Sequence, residues 1–160
     1  MDIVEILIII GTAASPIIEL RGAIPIAIGR YHFTWFYAYL FSVIGNIIPV
    51  PFLLGFLEGI IALLSKVHFL DRIIQWFLTK TRQRGKIVER YERFGLALFV
   101  AIPLPITGAW TGSILAFLMG LKFKHALVSI IAGVLIAGAI VVSATVLGWA
   151  VADIFTKPVD

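Results

Sequence analysis

Four long apolar stretches follow one another along the chain, and two of them run without interruption. These two cover residues 33–57 and 126–152 and contain no charged side chain. Each exceeds the about 20 apolar residues that an α-helix needs to cross a membrane. The pattern therefore predicts two transmembrane helices, and Pro49 and Pro51 are expected to kink the first of them.

The other two apolar stretches, residues 6–29 and 95–121, are each broken near the middle. The first break covers residues 12–19 and contains Pro16, and the second covers residues 103–108. Proline removes a backbone donor and clashes with the preceding turn. An arm of eight helical residues reaches about 12 Å, against a hydrocarbon core of about 30 Å. Two interpretations follow: a kinked but complete transmembrane helix, or a re-entrant hairpin whose tip stops near the middle of the bilayer.

The charge distribution favours the hairpin. Residues 66–93 contain eight basic and three acidic side chains, and the whole chain carries +4. A basic segment is typical of nucleic-acid binding or, between apolar spans, of a cytoplasmic loop, which we favour here. Its apolar residues near position 75 predict an amphipathic helix on the membrane surface. With this linker inside, a hairpin returns Lys122 and Lys124 to the cytoplasm, whereas a full span would place them outside.

The two halves repeat one another in hydropathy, with Gly22 corresponding to Gly112 and Phe33 to Phe123. The predicted fold is an all-α integral membrane protein with two inverted-topology repeats, each a re-entrant helical hairpin followed by a transmembrane helix, joined by a basic amphipathic helical linker. The chain is then one transmembrane domain, residues 1–160, divided into repeat one (1–65), the cytoplasmic linker (66–93) and repeat two (94–160). Such repeats enclose transport sites near the midplane.

Composition supports a membrane protein and excludes several function classes. Hydrophobic residues make up 61% of the chain and charged residues 14%, whereas soluble domains carry about 25% charged residues. The chain has no cysteine, which excludes disulfides and cysteine-type zinc sites. A nucleotide-binding glycine loop, a nucleophile motif and metal-ligand spacing are also missing. We therefore expect no enzyme, no cofactor, no metal and no nucleic-acid partner.

Two charged residues within the first broken stretch are the strongest site candidates. A carboxylate inside an apolar segment is expensive, so Glu19 is a functional candidate. Desolvation penalises its charged form, which makes reversible protonation near neutral pH plausible. The guanidinium of Arg21 could bind an anion such as phosphate. It could equally serve as the structural counter-ion of Glu19, and Pro25 follows on the returning arm.

The second break supplies the other half of the candidate site. Thr107 and Thr111 could bond a substrate or ion, or could cap the returning half-helix together with Ser113. Trp110 could form a cavity wall or simply pack. The predicted site residues of this break are Pro103, Pro105, Thr107, Gly108, Trp110, Thr111 and Gly112.

Secondary candidates lie in and after the uninterrupted stretches. Asn46 is expected to satisfy carbonyls released by the nearby prolines. Glu58 is a transport candidate or an interfacial side chain that snorkels. The glycines of the last stretch, Gly133, Gly138 and Gly148, predict close helix–helix contacts.

The segments ELRGAIPIA (residues 19–27) and AIPLPITGAWTGS (residues 101–113) resemble the two signatures of the small multidrug export family. That family is similar to the DedA superfamily, and the resemblance implies two re-entrant loops, each followed by a transmembrane helix, in inverted repeat. It also implies lipid scrambling or flipping of polyprenyl-phosphate carriers, with proton coupling. Pro16 and Glu19 match the superfamily's proline-then-acid pattern. Pro103 matches the proline of its second pattern, whose two arginines are absent here.

We therefore predict a transporter or flippase in the cell membrane of a prokaryote, multi-pass, that moves an anionic lipid-like or small amphipathic substrate. Proton coupling would pass through the midplane carboxylate. One alternative is a passive lipid scramblase or ion pathway without proton coupling. Another is a structural or assembly membrane protein. The expected partners are membrane lipids and a second copy of the chain, because so few spans would need a homodimer to enclose a pathway.

Overall fold

The computed structural model describes residues 2–64, 86–104 and 107–156, and it leaves out the side chains of residues 57–58, 60–64, 86–90 and 151–156. Within these ranges every regular element is a helix, as predicted. The helices are α1 (Ile3–Ala14), α2 (Glu19–Gly29), α3 (Trp35–Ile47), α4 (Pro49–Leu64), α5 (Lys86–Ala101), α6 (Ala109–Leu118) and α7 (Phe123–Thr156). The amphipathic helix predicted near residue 75 lies outside the described residues.

Two helical stretches are long and apolar enough to cross a membrane, by length and composition. One is Trp35–Phe56, with 22 residues and a mean hydropathy of 1.8, and the other is Phe123–Ala150, with 28 residues and 2.6. Both coincide with the uninterrupted stretches of the sequence. The first is divided at Ile48, where α3 ends and α4 begins with Pro49. Proline is favoured at the first position of a helix, because the missing N–H has no partner there.

Both predicted breaks separate short helices. Helix α1 has 12 residues and α6 has 10, which correspond to about 18 Å and 15 Å. Neither length crosses about 30 Å of hydrocarbon. Helix α1 packs against α2, and α5 packs against α6. The re-entrant path and the inverted repeat stay predictions, as do the predicted domain boundaries.

The structure corrects two helix boundaries. Helix α5 begins at Lys86, within the predicted linker, and so is 16 residues long rather than an arm of eight. Residues 86–93 are rich in Lys, Glu and Arg, which are good helix formers. Thr12, assigned to the first break, lies inside α1, where its hydroxyl donates to the Ile8 carbonyl at 2.7 Å. That bond lets a threonine remain in a helix.

The helices group into two compact units. The first contains α1, α2, α3 as far as Asn46, and α7 from Leu135 onward. Alanine is the commonest residue in one buried cluster of its core, which contains Ile9, Ala13, Ala23, Ala27, Phe33 and Ala38. A Cβ atom at Gly45 would lie 2.4 Å from the Ile10 carbonyl oxygen, so α3 rests directly on the backbone of α1. The Tyr39 hydroxyl donates to the Leu135 carbonyl at 3.1 Å and links α3 to α7.

The second unit contains α4, α5, α6 and α7 as far as Val134. A Cβ atom at Gly133 would lie 2.7 Å from the Ala97 carbonyl oxygen, so α7 approaches the backbone of α5. The close contacts predicted for the last apolar stretch are confirmed at Gly133 and, in the first unit, at Gly138 beside the Tyr39 ring. Gly148 does not show such a contact, since among the described residues nothing would lie within 4 Å of a Cβ there.

Candidate functional site

The first break places a carboxylate at the start of a short helix. Helix α1 ends at Ala14, because Pro16 has no N–H to continue the helix. The Ser15 carbonyl then accepts the Glu19 N–H at 3.1 Å, which closes the turn. Glu19 begins α2 with φ 51°, a left-handed conformation that non-glycine residues seldom adopt. Its position at a helix N-terminus favours negative charge, because the helix dipole is positive there.

Glu19 forms an ion pair with Arg21 although only two residues separate them. Their Oε2 and Nη2 atoms lie 3.3 Å apart, and the two side chains are 8% and 22% exposed. On a regular helix these positions do not face each other. Because the backbone of Glu19 is left-handed, Glu19 does not follow regular helix geometry. Its side chain can therefore reach Arg21 although only two positions separate them. The structure thus brings together the two leading candidates of the first break and shows the counter-ion arrangement.

A second polar pair lies on α3 in the same unit. Ser42 and Asn46 are four residues apart, so they share one side of the helix, and they are 0% and 1% exposed. Within the described part of the chain, Ser42 Oγ and Asn46 Oδ1 have no hydrogen-bond partner. An unsatisfied buried polar group costs about 1–3 kcal/mol, so both oxygens are suited to a hydrogen-bond donor such as water or a substrate hydroxyl.

Sequence reasoning missed Ser42, although its spacing of four from Asn46 was available as a signal. Neighbouring Gly45 contacts Ile10 and Ala13. This part of α3 therefore lies at the level of the last turns of α1, close to the break. The carbonyl-satisfying role predicted for Asn46 stays a prediction.

The second break is organised by Thr107. Its hydroxyl donates to the Ile102 carbonyl at 2.6 Å and accepts the Leu104 N–H at 3.1 Å. These bonds give partners to backbone groups that have no helical hydrogen bond once α5 ends at Ala101. Pro103 is half-buried within this turn. Pro105 lies outside the described residues.

Thr111 and Ser113 bond to the first turn of α6. The Gly108 N–H donates to Thr111 Oγ1 at 3.0 Å, which satisfies a helix-terminal donor as an N-terminal cap does. The Ser113 hydroxyl donates to the Ala109 carbonyl at 2.7 Å. The Thr111 bond therefore corresponds to local capping, whereas the Ser113 bond runs back to a carbonyl within the helix. A role in binding substrate stays a prediction.

Trp110 lies in the wall of a cavity in the second unit. The cavity has a volume of about 580 Å³, and Trp110 of α6 faces residues of α4 across it: Pro49, Pro51, Phe52, Leu53, Gly55 and Phe56. Gly112, two residues further along α6, lets that helix approach α5, since a Cβ there would lie 2.5 Å from Val100 Cγ2. Trp110 therefore lines an open apolar cavity, and a role in a substrate cavity stays a prediction.

Comparison with known families decides the classification. The sequence profile of the family described as "Putative small multi-drug export protein" matches residues 19–140. The chain belongs to this small multidrug export family. No curated protein matches the chain, and no solved structure matches it. The family description places the chain among export and transport membrane proteins, and the two long apolar helices fit a membrane location.

The match to the small multidrug export family begins at Glu19 and contains every predicted site residue. The structure brings Glu19 together with Arg21 in one unit, and Gly108 together with Thr111 in the other. The side chain of Glu58 lies outside the described part of the chain.

Replacing Thr107 by valine is expected to destabilise this family member by about 1–2 kcal/mol, because two backbone groups of the turn, the Ile102 carbonyl and the Leu104 N–H, lose their hydroxyl partner. Thermal or denaturant unfolding in detergent micelles measures the change. Thr12→Val is the matched control, since its hydroxyl makes a single bond within a continuous helix. Equal effects at the two positions would show that Thr107 does not organise the turn.

Proposed function

We propose that this member of the small multidrug export family is a secondary transporter or flippase that moves an anionic lipid-like or small amphipathic substrate. The observation that carries the proposal is the Glu19 carboxylate, buried in an apolar unit and paired with Arg21. An ionisable residue within apolar membrane segments is a functional candidate by default. A purely structural role explains the pair less well, because apolar side chains in place of a buried ion pair often leave stability unchanged or raise it.

The pair supports an exchange mechanism that conserves charge. While Glu19 is ionised, the Arg21 guanidinium has its counter-charge 3.3 Å away. A proton taken up by Glu19 cancels that counter-charge, so the half-buried Arg21 guanidinium loses this carboxylate as its ionic partner. An anionic headgroup then replaces the carboxylate, because a guanidinium binds phosphate and carboxylate with similar bidentate geometry. Loss of the proton reverses the exchange, so proton movement and substrate binding are coupled.

The open oxygens of Ser42 and Asn46 supply further hydrogen-bonding capacity in the same unit. A buried polar atom without a protein partner is commonly matched by water or by a ligand. In this proposal they accept hydrogen bonds from substrate hydroxyls or from water that carries the proton. Gly45, which brings α3 onto the last turns of α1, keeps them near the first break.

The proposed path through the membrane is the one expected of the DedA superfamily. In it, α1 with α2 and α5 with α6 form re-entrant hairpins, and the stretches that contain α3 and α7 cross completely. The short lengths of α1 and α6 support this arrangement. At that depth, backbone N–H and C=O groups outside helices require hydrogen-bond partners. In the Thr107 turn, the threonine hydroxyl is such a partner.

Single-cysteine labelling tests this topology cleanly, because the chain has no native cysteine. Asp2 and Lys122 are exposed. We expect Asp2→Cys to react with an impermeant thiol reagent from outside the cell, and Lys122→Cys to react only after the cytoplasmic face is opened. Lys124→Cys is the matched control and should behave as Lys122→Cys does. Labelling of Lys122→Cys from outside would mean that the hairpins cross completely.

A further inference from the structure

A cavity between α5 and α7 in the second unit has no role in the proposed function. Its volume is about 370 Å³, and its walls include Arg93, Phe94, Ala97, His125, Val128 and Ala132. None of these residues was a site candidate from the sequence. Phe94 and Val128 are each 67% exposed, so the cavity is open along an apolar surface that lipid would cover in a membrane.

The cavity has one charged end and one apolar end. Arg93 lies at one end together with the His125 imidazole, and we call this the charged end because of the Arg93 guanidinium. Lys122 and Lys124 precede His125 at the start of α7. Ala132 lies seven residues beyond His125, or about 10 Å deeper along the helix. Beyond the charged end the walls are apolar except for Ser129, which is buried.

This arrangement selects one class of occupant. A small anion would use the charged end and leave the apolar end unfilled. A neutral hydrocarbon chain would fill the apolar end and would make no use of the charged end. We infer that the cavity binds an anionic phospholipid, with its phosphate at Arg93 and His125 and one acyl chain along Ala97 and Ala132. Basic pockets between membrane helices recognise anionic headgroups in this way.

The site is separate from the proposed transport function, because it uses neither Glu19 nor Arg21. It also fits the basic character of the adjoining segment 66–93, which attracts anionic lipid to the same leaflet if that segment is cytoplasmic. The lipid would fill a packing gap between α5 and α7 and would stabilise the unit on binding.

Lipid binding to the purified full chain in neutral detergent micelles tests the inference. We expect added phosphatidylglycerol to raise the unfolding temperature more than phosphatidylcholine with the same acyl chains. Inorganic phosphate alone should have little effect. The variant with Arg93→Gln and His125→Gln should bind phosphatidylglycerol about tenfold more weakly, because it loses charge-assisted hydrogen bonds. Arg30→Gln, an exposed arginine of the first unit, is the matched charge control.

The apolar end is tested without changing charge. Ala132→Phe fills the cavity and should reduce phosphatidylglycerol binding. Ala144→Phe makes the same change at an exposed position of α7 outside the cavity walls, and should leave binding unchanged. Equal binding of the two lipids by the wild-type chain would overturn the inference even if a variant fails to fold. Phosphate alone binding as well as the lipid would also overturn it and indicate a simple anion site.

Discussion

Glu19→Gln is expected to reduce substrate movement by about tenfold or more and to remove its dependence on a pH gradient. Glutamine keeps the size of the side chain but cannot release a proton, so the proposed exchange at Arg21 has no driving step. A charge-assisted bond contributes about 1.5–3 kcal/mol, and about 1.4 kcal/mol already corresponds to a factor of ten. The measurement is flip-flop of a labelled anionic phospholipid in liposomes that contain the purified protein, with the internal and external pH set independently.

Glu5→Gln is the matched control for this experiment. Glu5 lies in the first turn of α1, where its carboxylate accepts the Asp2 N–H at 2.9 Å, and the substitution changes charge by the same amount in the same unit. We expect it to leave transport and its pH dependence unchanged. If Glu19→Gln also changes neither, the proton role is wrong and a passive scramblase becomes the better explanation. If the wild-type protein moves no lipid under any gradient, lipid is not its substrate.

Gly45→Ala is expected to destabilise the first unit by about 1–3 kcal/mol, the usual cost of overpacking a close contact. The new Cβ would lie 2.4 Å from the Ile10 carbonyl oxygen and 2.9 Å from Ala13 Cβ. Neither atom belongs to a flexible side-chain end, so α3 must move away from α1. Unfolding in detergent micelles measures the loss. The same displacement should disturb the nearby Ser42 and Asn46 oxygens.

Gly11→Ala provides the matched control for the glycine prediction. Gly11 lies on α1, next to the contacted residue Ile10, and a Cβ there would meet nothing within 4 Å. Alanine is favoured over glycine in a helix by about 1 kcal/mol, so this variant should be slightly more stable than the wild type. If Gly45→Ala stabilised the protein as Gly11→Ala is expected to, the close contact between α1 and α3 would be disproved.

Much of the helix pattern could be predicted because it depends on local chemistry. The two long apolar stretches became helical stretches of spanning length, and proline separated helices at Pro16 and after Ile47. The start of α5 was placed too late, because the charged residues 86–93 were assigned to a separate linker helix, whereas they continue into the apolar residues that follow as one helix. The family could be recognised from two short segments, and the match over residues 19–140 confirms it.

The candidate site was only half accessible from the sequence. Glu19 is conspicuous because a carboxylate is rare in an apolar stretch. Its pairing with Arg21 was not predictable from spacing, since it accompanies a left-handed backbone at Glu19. The cavity that includes Arg93 and His125 was invisible for a different reason. Those residues are more than 30 positions apart along the chain, and packing of α5 beside α7 brings them to one cavity wall.

The sequence by itself determined that this protein is helical, that it is apolar enough for a membrane, and that a carboxylate lies within an apolar stretch. These features depend on hydropathy and on proline, whose effects extend over only a few residues. Tertiary structure alone decided which polar groups are buried and which of them find partners. Ser42 and Asn46 became unsatisfied only when neighbouring helices covered them. Burial is a property of the packed chain, and the contact at Gly45 that brings two backbones together is made between residues far apart in sequence.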